Sequence, residues 1–128
     1  MVDFSKSPVF KLQEIAIETS NSVKECCENL FVNGEHCVKA FSSNRDSVLF
    51  TNKRIISVNV QGLTGSKRDY TSMPYSKIQV YAVETAGSFD RDAELELCFS
   101  GLGQVKFEFT KGTNVSDLAK LISEYVLK

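Results

Sequence analysis

The strongest constraint on the fold of this chain is a change in the spacing of its apolar residues near Glu35. Beyond Glu35, apolar and polar side chains alternate along seven short segments that are separated by turn residues. Successive side chains of a strand point to opposite faces, so a period of two predicts strands with one apolar face each. Such strands form antiparallel sheets around a single core, as in a sandwich or a barrel. The segments are 38–41, 48–51, 56–60, 68–73, 78–82, 93–99 and 105–110.

One helix is expected after the last strand. Asn114 is a favourable N-cap residue, and apolar side chains recur behind it with helical spacing. This stripe consists of Val115, Leu118, Leu121, Ile122 and Tyr125. An apolar stripe of this width must be buried, so the helix is predicted to cover part of the core.

Residues 1–32 show helical rather than strand spacing. Ser7 followed by Pro8 is typical of a helix start. The polar run 19–22 competes for backbone hydrogen bonds, so the pattern also allows a second helix, capped by Ser22 and Glu25. We predict an N-terminal helical arm over residues 1–32 and one further domain over residues 33–128. The predicted helical face consists of Leu12, Ile15, Thr19, Val23, Cys26 and Leu30.

The charge balance argues against one class of partner. Fifteen Lys and Arg against sixteen Asp and Glu leave a net charge of −1, whereas a nucleic-acid-binding domain needs a surplus of cations facing the phosphates. No secretory leader is visible, and no apolar run approaches the ~20 residues that span a bilayer. We therefore expect a cytoplasmic protein with no transmembrane segment and no nucleic-acid partner.

The four cysteines are expected to be reduced thiols in that compartment. They are Cys26, Cys27, Cys37 and Cys98. None of them forms a C-x-x-C pair, and two adjacent cysteines are poorly placed to share a metal ion. We interpret all four as small apolar side chains and expect no metal and no cofactor.

The run QGLTGSKR, residues 61–68, follows a predicted strand and carries two glycines and a lysine, as phosphate-binding loops do. Such a loop needs G-x-x-x-x-G-K-[ST] with a helix directly after it. Here Gly62 and Gly65 are three apart, Lys67 is two beyond Gly65, and a strand is predicted to follow. We predict a β-hairpin loop whose glycines adopt positive φ angles, not a nucleotide site.

The remaining polar residues form no catalytic arrangement. His36 and Cys37 are neighbours on a strand and point to opposite faces, which prevents a nucleophile–base pair between them. Glu94 and Glu96 share a face, and we interpret that face as the solvated side of the strand. A single histidine and dispersed cysteines do not suit a zinc site. We expect no enzymatic activity.

Seven antiparallel strands followed by one amphipathic helix is the element order of the pleckstrin-homology fold. The sequence VLFTNKRIISVNVQGLTGSKRDYTSMPYSKI, followed by ETAGSFDRDAELEL, resembles the bacterial pleckstrin-homology-like family, long known only as a domain of unknown function. The resemblance runs from about Leu30 to the C-terminus, and FTNKR, QGLTGSK and PYSKI are its most specific parts. It implies two nearly orthogonal antiparallel sheets of four and three strands, with the last helix closing one end of the barrel.

The resemblance also implies a function without catalysis. Members of the family are non-enzymatic as far as is understood, and some assemble into cyclic homo-oligomers. We therefore expect an assembly or scaffold module that forms a homo-oligomeric ring, with a pentamer as one option. The N-terminal arm packs either on its own barrel or on a neighbouring subunit. The side chains predicted as oligomer contacts are Leu12, Ile15, Tyr75, Tyr81 and Phe89.

A second hypothesis is a ligand-binding module for an anionic headgroup or a peptide. In the implied fold, Arg45, Lys67 and Arg68 lie on loops at the open end of the barrel. Lipid-binding pleckstrin-homology domains place several basic residues in the first of these loops, whereas this chain has Arg45 alone, beside Asp46. Membrane-lipid binding is therefore not expected. Binding of an anionic group or peptide at the open end of the barrel remains the alternative to a function in assembly.

Overall fold

The computed structural model describes residues 9–84, 93–110 and 112–128. These residues form eight strands and two α-helices, together with short 3₁₀ helices at Ile17–Thr19 and Tyr75–Lys77. The strands are β1 (Val9–Ile15), β2 (Cys37–Ser43), β3 (Asp46–Thr51), β4 (Arg54–Gln61), β5 (Lys67–Pro74), β6 (Ile78–Glu84), β7 (Ala93–Phe99) and β8 (Gly103–Phe109). The helices are α1 (Asn21–Asn29) and α2 (Val115–Val126).

The strands follow the order β5-β4-β3-β2-β1-β8-β7-β6 in one open sheet. All seven predicted strands and the predicted C-terminal helix are present, which confirms a mainly β fold. The predicted barrel of two sheets with four and three strands is wrong. The reason is the N-terminal segment, which supplies an eighth strand, β1, between β2 and β8 in the order.

β1 occupies part of the segment that was predicted as the first helix. It pairs in parallel with β8, and it contains a bulge in which Lys11 has a φ angle of 53°. Leu12 is completely buried, and its carbonyl accepts a 2.9 Å hydrogen bond from the amide of Thr110. The aligned pairs are Val9 with Phe107 and Leu12 with Phe109. Strand pairing and burial therefore override the local helical spacing.

The second predicted helix is present as α1, but it begins earlier than predicted. The hydroxyl of Ser20 caps it by accepting a 3.2 Å hydrogen bond from the amide of Val23. Ser22, the predicted cap, instead shares a 2.9 Å hydrogen bond with the hydroxyl of Ser47. The division of the chain into domains at residue 32 stays a prediction.

The chain forms two compact units, of which the first contains residues 14–73. Here β2 pairs with β3 and β3 with β4, all antiparallel. Helix α1 packs its apolar side against this sheet, and half-buried Ile15, Phe31 and Tyr70 extend the contact. The buried side chains of this cluster are Val23, Cys26, Ala40, Leu49, Ile56 and Val58.

Strand β4 is buried on both faces rather than on one. Ser57 and Asn59 lie on the face that alternation predicts as polar, yet they are only 1% and 7% exposed. The hydroxyl of Ser57 donates a 3.1 Å hydrogen bond to the side-chain oxygen of Asn59, so these polar groups are satisfied without water. Alternation of polarity predicts the two faces of a strand, but it does not predict whether the polar face is covered.

The second unit contains β6–β8 and α2 together with the start of β1. Strands β7 and β8 pair without interruption and follow the predicted alternation. The side-chain oxygen of Asn114 accepts a 3.1 Å hydrogen bond from the amide of Asp117, which confirms the predicted cap of α2. The side chains buried on these elements are Ala93, Leu95, Leu97, Phe99, Val105, Phe107, Phe109, Leu118, Leu121 and Ile122.

Strand β6 departs from its predicted alternation. Two residues of β6 lie opposite one residue of β7 near its start, where Ile78 aligns with Phe99 and Val80 with Cys98. This bulge inverts the faces of the residues after it. Val80 is therefore 61% exposed and Ala82 is exposed, whereas Tyr81 and Val83 are half-buried.

The burial of Leu12 gives a direct test of β1. Replacing Leu12 with Ala removes a fully buried side chain, so we expect the free energy of unfolding to fall by about 2–5 kcal/mol. The matched control is Gln13→Ala, since Gln13 is the exposed next residue of the same strand. Urea denaturation of both variants measures the difference, and equal stabilities would contradict the placement of Leu12 in the core.

Candidate interaction surfaces and the buried ion pair

The glycine-containing segment 61–68 is a hairpin loop between β4 and β5, as predicted. Gly62 and Gly65 have φ angles of 84° and 69°, in the region that favours glycine. The amide of Gly65 donates a 3.2 Å hydrogen bond to the carbonyl of Gly62, which closes the turn. A strand follows at Lys67 rather than a helix, so the geometry of a phosphate-binding loop is not present.

Two arginine side chains hold this loop in place. The Nη2 group of Arg45 donates a 2.6 Å hydrogen bond to the carbonyl of Gly62, and Nη1 of Arg68 donates one of 2.8 Å to the carbonyl of Gly65. Nε of Arg68 also lies 3.1 Å from the carboxylate of Glu25 on α1. Between these two supports, the side chain of Leu63 is fully exposed at the tip.

The structure therefore places the three predicted anion-binding residues around one loop. Arg45 and Arg68 each use a guanidinium nitrogen on a carbonyl of that loop. Lys67 is exposed at the start of β5. Each arginine thus has fewer donors left for an external anion than its side chain would offer alone.

The predicted oligomer contacts lie in different surroundings. Leu12 and Tyr75 are 0% and 4% exposed, and Tyr75 stacks on Tyr125 with ring centroids 5.0 Å apart. Ile15 is half-buried, and so is Tyr81, whose hydroxyl shares a 2.9 Å hydrogen bond with Ser123. The fifth predicted contact, Phe89, lies outside the described residues. Of the predicted contacts among the described residues, only Ile15 and Tyr81 are partly accessible to another chain.

A buried ion pair joins the segment before β2 to the first residue of β4. Arg54 donates two parallel hydrogen bonds to Glu35, from Nε at 3.0 Å and from Nη2 at 2.9 Å. The side chain of Glu35 is 0% exposed and that of Arg54 is 19% exposed. Nη2 of Arg54 also donates a 2.8 Å hydrogen bond to the carbonyl of Leu30, just after α1. This paired, two-pronged geometry is the strong form of a charge-assisted hydrogen bond.

The FTNKR turn supplies the partners that complete this pair. The hydroxyl of Thr51 donates a 2.7 Å hydrogen bond to Glu35, and the amide of Val32 donates one of 3.0 Å. The side chain of Asn52 accepts a 2.9 Å hydrogen bond from the amide of His36 and donates one of 3.1 Å to the carbonyl of Gly34. Residues 51–54 therefore hold segment 30–36 by polar contacts at Leu30, Gly34, Glu35 and His36.

These contacts shift the ionisation of Glu35. Burial by itself raises the pKa of this carboxyl, but the hydrogen bonds from Arg54, Thr51 and Val32 and the charge of Arg54 outweigh it, so the pKa is lowered. Sequence reasoning missed Glu35 and Arg54. The one available signal was FTNKR, whose family-specific pattern pointed to the turn but not to its partner.

Two cysteine thiols have a raised pKa, and the two glutamates on one face of β7 are paired with one lysine. Burial raises the pKa of the Cys26 thiol to about 11, with a further contribution from the carboxylate of Glu25. Burial likewise raises the pKa of Cys37 to about 12, with Cys26 adding to the shift. Thiols of such high pKa are poor nucleophiles. Lys106 lies between the two predicted surface carboxylates, 3.5 Å from Glu94 and 3.2 Å from Glu96.

Within residues 9–84, 93–110 and 112–128, no three His, Cys, Asp or Glu side chains are grouped so that they could hold a metal ion. None of the helices in the same ranges has the length and apolar character needed to cross a membrane.

Comparison with known proteins supplies the family. The sequence profile described as the bacterial PH domain matches residues 4–126. The chain belongs to the bacterial pleckstrin-homology domain family. The match includes the N-terminal segment as well as the region after residue 32, in agreement with the incorporation of β1 into the sheet.

A curated relative resembles this bacterial pleckstrin-homology domain in sequence, and solved structures resemble it in fold. The Bacillus subtilis (strain 168) protein YjqA, named as uncharacterized, is 39% identical over 80% of this chain and 83% of its own length. A DUF1696-family protein with a pleckstrin-homology domain from Shewanella loihica PV-4 superposes with a TM-score of 0.78 at 36% identity, covering 91% of this chain and 98% of that one. A pleckstrin-homology domain from Shewanella amazonensis SB2B gives 0.65 at 38% identity, covering 86% and 91%.

Removing one member of the buried ion pair should destabilise this domain strongly. In Arg54→Ala the carboxylate of Glu35 stays buried without its partner, so we expect the free energy of unfolding to fall by about 3–5 kcal/mol. Lys53→Ala is the control, because it removes the neighbouring exposed cation of the same turn. Denaturant titration compares the two, and an Arg54→Ala variant as stable as Lys53→Ala would show that the pair contributes nothing.

The lowered pKa of Glu35 also predicts acid sensitivity. A carboxyl whose folded pKa lies below its unfolded value of about 4.3 contributes stability above that value, and the contribution is lost as pH falls through the folded pKa. At pH values below about 4.3, we expect the free energy of unfolding of the wild-type chain to decrease, and that of Glu35→Gln to decrease less. Asp69, whose pKa the hydroxyl of Thr71 lowers, contributes acid sensitivity to both chains. Denaturant titration at several pH values from 7 to 3 gives the free energy of unfolding of both chains as a function of pH. An equal pH dependence in the two chains would count against the lowered pKa of Glu35.

Proposed function

We propose that this bacterial pleckstrin-homology domain is a non-enzymatic assembly module that associates with copies of itself, in the form of a ring. The observation that carries the self-association is the outer edge of β6, whereas the ring is what the family resemblance implies. In the strand order, β6 lies at one end and pairs only with β7 among the described strands. An end strand offers its second row of backbone N–H and C=O groups for pairing with another chain.

The two ends of the strand order differ in a way that favours β6. The other end strand, β5, begins with the exposed cations Lys67 and Arg68 and ends with Pro74. Charged side chains and proline are the usual means by which proteins prevent pairing at a sheet edge. The sequence of β6, IQVYAVE, contains no Lys, Arg or Pro, and its single charged residue is Glu84 at its end. The edge of β6 is thus the less protected of the two.

The side chains of β6 add apolar contact area to its edge. Val80 is 61% exposed because of the bulge, and Ala82 is exposed beside it. β-branched and aromatic residues favour strands, and β6 contains Ile78, Val80, Tyr81 and Val83. A partner strand would therefore gain backbone hydrogen bonds and bury Val80 at the same time.

The non-enzymatic part of the proposal is supported by the surroundings of the reactive groups. Glu35 is engaged by Arg54, Thr51 and Val32 and is 0% exposed, so it has no access to a substrate. Glu94 and Glu96 are bridged by Lys106. These groups are used in holding the fold together.

Binding of an anionic headgroup or peptide near Arg45, Lys67 and Arg68 is the second hypothesis. Two of these three cations already donate to loop carbonyls, and Arg68 is also paired with Glu25. A strong anion site needs several free donors that converge on one point. The present arrangement favours assembly over this alternative.

The mass of the native particle tests the proposal. We expect size exclusion with light scattering at micromolar concentration to give a multiple of the 14.3 kDa chain mass. Val80→Lys places a charge on the edge of β6 and should reduce that mass, since edge lysines oppose strand pairing. Val32→Lys is the control, because Val32 is similarly exposed, at 56%, but lies in a loop. A monomeric wild-type chain would refute self-association, and equal effects of both lysines would exclude the β6 edge.

A further inference from the structure

We propose that the exposed tip of the hairpin loop 61–66 inserts into a surface cavity beside α1 of a second copy of this chain. Leu63 is the side chain that enters, and the cavity formed around residues 17–28 receives it. The proposal rests on the self-association proposed above and names a pair of surfaces for it. These surfaces are separate from the edge of β6.

The loop presents Leu63 in a fixed position. Hydrogen bonds from Arg45 to Gly62 and from Arg68 to Gly65 support it on both sides of the tip. A side-chain carbon added at Gly65 would lie only 3.1 Å from Nη2 of Arg45, so the support depends on glycine there. A loop that is already ordered loses little conformational freedom on binding. Leu63 is nevertheless completely exposed, which is unfavourable unless a partner covers it.

The cavity has the size and the lining to receive such a side chain. Its volume is 490 Å³, and it lies where the 3₁₀ helix Ile17–Thr19 meets the first turns of α1. Volumes of this order are typical of sites that bury a ligand group. The apolar side chains that line it are Ile17, Val23 and Cys27, and the charged ones are Glu18, Lys24 and Glu28.

The charges of the two surfaces are complementary. Arg45 and Lys67 are exposed beside the loop, whereas the charge of Arg68 is paired with Glu25. The nearby carboxylates of Asp46 and Asp69 are half-buried and accept hydrogen bonds from the Val60 amide at 3.0 Å and the Thr71 hydroxyl at 2.8 Å. Of the charged side chains lining the cavity, the two carboxylates outnumber the single lysine. Opposite charges of this kind set the orientation of an encounter more than its strength.

The geometry of one chain excludes an intramolecular contact. Leu63 is completely exposed, so it does not fill the cavity of its own chain. A contact between two different surfaces of identical chains is heterologous, and each new copy leaves one loop and one cavity free for the next. Such contacts close into rings when the rotation allows, and they otherwise continue as filaments. The loop and the cavity thus supply the kind of contact that the proposed ring requires.

Two variants test the pairing. Leu63→Glu removes the apolar tip and introduces a charge that the acidic cavity repels. Cys27→Arg fills the cavity from an exposed helix position with a residue that favours helices. Each variant keeps one of the two surfaces intact. We expect each alone to give a smaller particle than the wild-type chain, with the copy–copy contact weakened roughly tenfold or more.

The decisive measurement is the mixture of the two variants. The intact cavity of Leu63→Glu should bind the intact loop of Cys27→Arg, so a 1:1 mixture should give a complex that contains both chains and that neither forms alone. Leu127→Glu, at another exposed leucine, is the control and should keep the wild-type mass. Circular dichroism and melting curves of each variant check that it is folded.

The outcomes separate this contact from self-association itself. A monomeric wild-type chain would overturn both proposals. A wild-type oligomer whose mass is unchanged by Leu63→Glu would overturn the loop contact and leave self-association standing. Two smaller variants that do not combine would also overturn the pairing. If the wild-type chain instead pellets with phosphatidylcholine–phosphatidylglycerol vesicles in a Leu63-dependent manner while its mass stays that of a monomer, the loop faces a membrane and the proposal is wrong.

Discussion

The buried pairing of Glu35 with Arg54 is the interaction on which the first unit depends. A carboxylate that is 0% exposed is unfavourable by itself, and here four hydrogen bonds from Arg54, Thr51 and Val32 compensate it. Because Arg54 also binds the carbonyl of Leu30, the pair ties the end of α1 to the β3–β4 turn. The position of α1 in turn determines the cavity along its first turns and the ion pair between Glu25 and Arg68. The cavity proposed to receive the loop therefore depends on a contact that lies within the first unit.

The three family-specific motifs correspond to three separate structural tasks. FTNKR forms the turn that holds Glu35 and segment 30–36. QGLTGSK forms the hairpin loop whose glycines have positive φ angles and whose carbonyls are held by arginines. PYSKI contains the 3₁₀ helix Tyr75–Lys77, where Tyr75 stacks on Tyr125 of α2. The first and last motifs stabilise the domain from within. The middle motif alone exposes a large apolar side chain, that of Leu63, and this is the side chain for which we propose a partner.

Sequence reasoning was reliable where local rules and burial agree. Strands β7 and β8 alternate without interruption, and both the N-cap and the apolar stripe of α2 were readable from a few residues. It failed where tertiary structure opposed the local pattern. The helical spacing of residues 12–15 lies in β1, a strand with a bulge at Lys11, and the bulge in β6 moved Val80 to the surface. Neither bulge has a sequence signature of its own. The ion pair was missed for a similar reason, since Glu35 and Arg54 meet only after the chain has turned back on itself through β2 and β3.

The sequence by itself determined that the chain is mainly β, that a capped helix ends it, and that the glycine loop is a hairpin rather than a phosphate site. These properties follow from the periodicity of side chains, the preferences of capping residues and the φ angles open to glycine, all of which are local. Only the tertiary structure decided that an eighth strand joins the sheet, that the polar face of β4 is covered, and which strands lie at the two ends of the strand order. Each of these depends on what a distant segment places against a given face or edge, and no local pattern contains that information.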